Sequence, residues 1–104
     1  MTPKIKLAGK EYTARPPKAK MWRQIIKFNQ LYSTVNIAES DEAYEFMLQL
    51  MADGFGHTEI TRELIEDELP LSDLMPKFQE ITEWIGQMVA GKAAEMPPGK
   101  GKNG

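Results

Sequence analysis

Between residues 21 and 35, Met21, Ile25, Phe28, Tyr32 and Val35 recur at steps of four and three, the spacing that lines one side of an α-helix. Trp22, Ile26 and Leu31 widen the stripe, so a helix starting near Lys18 is expected to pack on more than one side and to be central to the fold. Two more segments carry the same period. Ala43, Phe46, Met47, Leu50 and Met51 follow Ser40, which is expected to cap a second helix, with Asp41 and Glu42 placed favourably in its first turn. Gly54 or Gly56 is expected to end it in the left-handed conformation. Leu74, Phe78, Ile81, Ile85 and Met88 form the last stripe, with Trp84 beside it, Ser72 as the expected cap, Pro76 in the first turn and Gly91 as the end. Between these two helices, Thr58 or Thr61 can cap a short helix through Leu64 and Ile65 that Pro70 closes. Asn36 and the following Ile-Ala-Glu are expected to form a loop.

The segment before residue 18 has a different period. Lys4-Ile5-Lys6-Leu7 alternates, Ala8-Gly9-Lys10 offers a turn, and Glu11-Tyr12-Thr13-Ala14 is strand-prone, which together read as a β-hairpin. An isolated hairpin is marginal in water, so Ile5, Leu7 and Tyr12 must lean on the helices or on another subunit. Arg15-Pro16-Pro17 forces an extended exit. Residues 92–104 hold Gly, Pro and Lys with almost nothing apolar, and such a composition is expected to stay disordered. The expected fold is mainly α: a short N-terminal β-hairpin and about four helices in one domain, residues 1–91, followed by a Gly/Pro/Lys tail, residues 92–104.

With 41% hydrophobic and 27% charged residues, the 104-residue chain has an ordinary globular composition. It contains no cysteine, hence no disulfide and no thiolate, which fits a reducing cytoplasm. No apolar run approaches the roughly 20 residues that span a bilayer, so no membrane role is expected. The net charge of −2 hides an uneven layout. Residues 1–27 carry eight Lys or Arg against Glu11 alone, residues 28–91 carry two against thirteen Asp or Glu, and residues 92–104 carry three against Glu95. Neighbouring copies could therefore attract one another, basic start to acidic middle.

Reactive chemistry is scarce. His57 is the only histidine and lies between Gly56 and Thr58, so a zinc site would have carboxylates as its only other ligands; it is expected to be a plain loop residue. Glu66-Asp67-Glu68 reads as a solvated helix end, because adjacent helical residues point in different directions. Gly54-Phe55-Gly56 lacks the spacing and the following Lys-Ser or Lys-Thr of a phosphate-binding loop. No enzyme activity, metal or cofactor is expected. Lys18, Lys20, Arg23 and Lys27 can share parts of one helix and could meet phosphates, but the acidic helices that follow would repel nucleic acid. What the chain does have is seven methionines, two tryptophans and wide apolar stripes in a small body. Adaptable Met and anchoring aromatics suit protein interfaces, and Trp22, Ile26, Tyr32, Trp84 and Met88 are the expected partner-binding or self-association residues.

The order of these elements resembles a known family. Ile5-Lys6-Leu7-Ala8-Gly9-Lys10-Glu11-Tyr12, a proline-bounded link, and Lys18-Ala19-Lys20-Met21-Trp22-Arg23 opening a long helix look like the tail assembly chaperones of long-tailed (siphovirus-type) bacteriophages and prophages of Gram-positive hosts. Phe55-Gly56, Thr61-Arg62-Glu63-Leu64-Ile65 and Leu74-Met75-Pro76 are similar as well. The resemblance spans about residues 4 to 90. It implies a non-catalytic protein of the host cytoplasm, absent from the mature virion, that binds the tape measure protein and keeps it soluble until the tail tube polymerises. The major tail protein and further copies of the chain are the other expected partners. It also implies that a ribosomal frameshift can give a longer second product. A phage structural or connector protein and a nucleic-acid-binding regulator are the alternatives.

Overall fold

The computed structural model describes residues 2–95, with the side chains of Ala38 and of residues 91–95 left aside. Strands β1 (Lys4–Leu7) and β2 (Lys10–Thr13) form an antiparallel hairpin in which Ile5 faces Tyr12 and Leu7 faces Lys10. Ala8 (φ 53°) and Gly9 (φ 79°) make the two-residue turn, both in the left-handed region that matches the twist of the flanking strands. Alternation then sends Ile5, Leu7 and Tyr12 to one side, where they are buried against the helices, as an otherwise marginal hairpin requires. The Ala14 N–H donates to the Pro3 carbonyl and the Arg15 N–H to that of Phe55, tying the hairpin's exit to the end of the second helix.

Helix α1 (Ala19–Tyr32) begins without a side-chain cap and buries Met21, Ile25 and Phe28 of the expected stripe, whereas Tyr32 is half-buried and Val35 lies exposed beyond the helix end. A 3-10 turn, Ile37–Glu39, occupies what the sequence suggests is loop. Helix α2 (Asp41–Phe55) starts at Ser40, whose side chain accepts the Ala43 N–H at 3.2 Å, and ends at Gly56 with φ 77°. Of the two glycines offered as terminators, Gly56 performs that role. Gly54 remains helical and buried, where a Cβ would come within 3.0 Å of Ile81 Cγ1. Helix α3 (Arg62–Glu68) is capped by Thr61, which accepts the Leu64 N–H at 3.1 Å.

Helix α4 (Leu71–Glu95) departs from expectation at both ends. It begins directly after Pro70, whose carbonyl accepts the Asp73 N–H at 2.9 Å, so Ser72 lies within the first turn instead of capping it. Pro76 consequently falls in the second turn, and the missing N–H leaves a carbonyl on an exposed face where water can serve it. At the other end the helix passes through Gly91 to Glu95, because Ala93 and Ala94 favour helix and a single glycine costs only about 1 kcal/mol. The remainder of the expected tail, residues 96–104, lies outside the described residues.

The hairpin and all four helices contribute to one hydrophobic core, with Met47, Met51, Phe55, Ile65 and Ile81 wholly enclosed. Phe28, Tyr32, Phe46 and Phe78 join α1, α2 and α4 through tilted and edge-to-face rings with centroids 5.2–5.8 Å apart, geometry that suits the quadrupoles of the rings. The fold is mainly helical with an N-terminal hairpin.

Candidate functional site

Helices α1 and α4 run antiparallel over α2. Phe28 meets Phe78 at their middle, Trp22 near the start of α1 shares a groove with Gly86 late in α4, and Val35 beyond the end of α1 shares another with Leu71 and Met75 at the start of α4. The two grooves follow one another along this seam. From Leu71 to Gly86 it covers fifteen helical steps, about 22 Å.

The first groove, of ≈ 830 Å³, lies between the α1–α2 connection and the start of α4. Val35, Ile37, Leu71, Leu74 and Met75 give it apolar walls, Met47 lies in its lining, and Glu39 and Asp41 bring negative charge to it. Leu71 is 85% exposed, a large apolar side chain left almost entirely in water. The Tyr44 hydroxyl donates to Glu66 Oε2 at 3.3 Å, and its pKa is raised by burial first, then by the nearby negative charge of Glu66, that hydrogen bond, and the charge of Asp41. The second groove, of ≈ 270 Å³, is bounded by Trp22, Phe28, Phe78, Thr82 and Gly86, with open space where a Gly86 side chain would be.

Trp22 (36% exposed) and Ile26 stand one helical turn apart on the outer surface of α1. Arg23 and Lys27 form the neighbouring row, both exposed and both without an ion-pair partner among the described residues. The seam thus carries apolar residues along its length, with Arg23, Lys27 and the groove-lining Glu83 around Trp22 and with Glu39 and Asp41 beside Val35.

The five residues singled out from sequence do not form one patch. Tyr32 is half-buried against Phe28 and Phe46. Trp84 packs partly against the core, while Met88 is exposed one turn beyond it. Both lie on the side of α4 that carries Lys77, whose ammonium reaches the Lys4 carbonyl of the hairpin, and so away from the side facing α1. Trp22 and Ile26 do share a surface. Leu71, Met75 and Val35, which were not singled out as binding residues, are exposed and line the first groove. Leu71 opens α4 and Val35, although part of the α1 stripe, lies beyond the end of that helix, so helical period decides burial for neither, while Met75 lies one turn into α4 on an exposed face.

His57 is more than a loose loop residue. Its Nε2–H donates to the Thr13 carbonyl at 2.7 Å, and its ring meets Tyr12 edge-on at 5.3 Å. Asp53 accepts from Gln24 at 3.2 Å and Gln49 at 2.9 Å, linking α1 to α2. Among the described residues no cluster of three or more His, Asp or Glu could hold a metal ion, and no helix is long and apolar enough to cross a membrane.

No curated protein and no solved structure matches the chain. The family model described as phage tail chaperone protein matches residues 1–101, nearly the whole sequence. The chain belongs to the phage tail chaperone family and is a tail assembly chaperone.

Proposed function

We propose that the chain captures apolar helical segments of the tape measure protein along the α1–α4 seam and keeps that protein soluble until the tail tube polymerises around it. The observation that carries this reading is the apolar strip from Leu71 and Met75 past Phe78 to Trp22, with grooves on both sides of the Phe28–Phe78 contact. A helix laid along such a seam presents residues at i, i+3, i+4 and i+7, and a strip of about 22 Å accommodates roughly four turns. The chain acts without catalysis, in the host cytoplasm, and leaves before the virion is complete. The major tail protein is a second partner of the assembling tail.

Co-expression with the tape measure protein tests this. The soluble fraction of the tape measure protein should rise when the chain is present and fall back with the Leu71→Lys/Met75→Lys variant, whose changes lie at exposed positions. A tape measure protein that precipitates equally with and without the chain contradicts the proposal.

A further inference from the structure

The groove between the α1–α2 connection and the start of α4 is apolar within and negative at its rim. Val35, Ile37, Leu71, Leu74 and Met75 form its walls, Glu39 and Asp41 bring the charge, and the lining holds no Lys, Arg or His among the described residues. Neither carboxylate enters an ion pair among those residues. Asp41 opens α2, where the positive end of the helix favours it, but Glu39 sits in the 3-10 turn without that support. Further negative charge surrounds them: Glu66 accepts the Tyr44 hydroxyl at 3.3 Å, and Glu42 and Asp73 lie in the first turns of α2 and α4. The cations of α3 and of the first half of α4 are committed elsewhere, Arg62 to Glu45 at 3.7 Å and Lys77 to Glu80 at 3.1 Å. Lys27, the last cation of α1, lies eight residues before Val35 and outside the lining.

We infer that this groove selects a cationic amphipathic helix: apolar side chains fill the hollow, and a Lys or Arg one turn beyond them lies over Glu39 and Asp41. The inference rests on the reading of the seam as a helix-capturing surface and adds the chemistry by which the groove chooses among helices. At ≈ 830 Å³ the hollow has room for more than one apolar side chain, and Met47 and Met75 can adapt to their shapes. An uncharged helix would cover two carboxylates and strip them partly of water with no partner in return. A helix with Asp or Glu at that point would be repelled. Lys and Arg answer both demands, because the aliphatic stem extends the apolar contact over exposed Leu71 while the charged head stays at the wet rim. Charge pairs at a rim set selectivity and make it sensitive to salt.

The probes are two end-blocked peptides of about fifteen residues, the length of roughly four helical turns, with the same leucines at i, i+3, i+4 and i+7 and either Lys or Glu at the positions one turn on. Titrated into the full chain at low salt, the Lys peptide should bind at least about fivefold more tightly than the Glu peptide, since each exposed ion pair is worth up to a few-fold in affinity. Glu39→Gln/Asp41→Asn should abolish the preference, and Glu39→Gln alone, which leaves the start of α2 untouched, should reduce it. Glu63→Gln, which removes the same charge from an exposed position on α3 outside the lining, should keep it. Leu71→Gln should weaken both peptides, which locates the contact in this groove. Equal affinities for the two peptides, or a preference that survives Glu39→Gln/Asp41→Asn, overturn the inference while helix capture stands. Failure of both peptides to bind overturns helix capture and the inference together. If Glu39→Gln/Asp41→Asn changes the sedimenting mass of the chain alone and leaves peptide binding as it was, a second copy occupies the groove and the inference is overturned.

Discussion

His57 donates a hydrogen bond from Nε2 to the Thr13 carbonyl at 2.7 Å, which joins the last residue of the hairpin to the segment between α2 and α3. The bond itself is exposed, His57 is half-buried, and the Tyr12 ring edge reinforces the contact. Losing a neutral hydrogen bond of this kind costs about 1 kcal/mol, and losing the ring contact costs a comparable amount. His57→Ala should lower stability by about 1–2 kcal/mol in urea denaturation and, under the proposed function, leave the solubility of co-expressed tape measure protein unchanged. Lost solubilisation by a well-folded His57→Ala protein would assign the imidazole a role in partner binding.

Gly54 governs how closely α2 approaches α4. A Cβ there would lie 3.0 Å from Ile81 Cγ1 and 3.7 Å from Ile85 Cδ1, so the helices meet where one of them has no side chain. Gly54→Ala gains about 1 kcal/mol of helix propensity against this crowding, so its net effect should be small. Gly54→Val adds branches that Ile81 cannot clear and should destabilise by about 2–3 kcal/mol, seen as a lower melting temperature by circular dichroism. A melting temperature equal to the parent's would show that α4 moves aside freely.

How far these features were legible in the sequence differs by type of interaction. Within the two stripes, Met21, Ile25 and Phe28 on α1 and Phe78, Ile81 and Ile85 on α4 are buried because periodicity reports which side of a helix faces the core, whereas Tyr32 and Leu74 are half-buried and Val35 and Met88, toward the stripe ends, are exposed. Ser40 was readable as a cap, and Thr61 as one of two candidates with Thr58, because the bond each makes is local, to a backbone N–H three residues on. In sequence Gly54 is as good a terminator as Gly56, since nothing within a few residues of it encodes the approach of Ile81. The same holds for His57 and Thr13, which are 44 positions apart. The candidate surface was half legible: Trp22 and Ile26 extend a stripe already wide enough to bury, whereas Leu71 follows a proline and has no periodic neighbours before it. Trp84 looked like surplus apolar area because the place of the hairpin beside α4 depends on tertiary packing.

The hairpin turn leaves room for improvement. Ala8 holds φ 53° ahead of Gly9 at 79°, a pair of left-handed positions in which a residue with a simple Cβ is disfavoured. Asparagine tolerates that conformation and is the preferred first residue of such a turn. Ala8→Asn should raise stability by about 0.5–1 kcal/mol, a gain of several degrees in melting temperature for a domain of this size. An unchanged or lower value would show that the turn carries no strain.

Tyr44 supplies a pH signature at the acidic end of the seam. Burial, then the charge of Glu66 and the hydrogen bond to it, then the charge of Asp41, all favour the neutral phenol, so its folded-state pKa lies above the ordinary value of 10.0. Stability linked to neutral Tyr44 is therefore fully present below pH 10 and is lost as pH rises through the raised folded value. Tyr44→Phe should remove a component that titrates above the ordinary range from the phenolate absorbance curve and flatten the alkaline fall in stability relative to the parent. Identical alkaline slopes for the two proteins would detach Tyr44 from Glu66.

Trp22 and Phe28 sit six residues apart on different faces of α1 and should separate stability from binding. Phe28 is 8% exposed and touches rings from α2 and α4, so Phe28→Ala should cost about 3–5 kcal/mol and weaken every activity through unfolding. Trp22 lies at the mouth of the second groove with more than a third of its surface in water, and Trp22→Ala should cost only about 1 kcal/mol. If the seam captures apolar helices, Trp22→Ala should nonetheless lower the soluble yield of co-expressed tape measure protein, because an exposed tryptophan is the kind of side chain that anchors an interface. Denaturation and solubility measured on the same preparations decide the matter. A Trp22→Ala protein that keeps full solubilising power moves the capture surface off α1, whereas a stability loss as large as that of Phe28→Ala would make Trp22 a core residue.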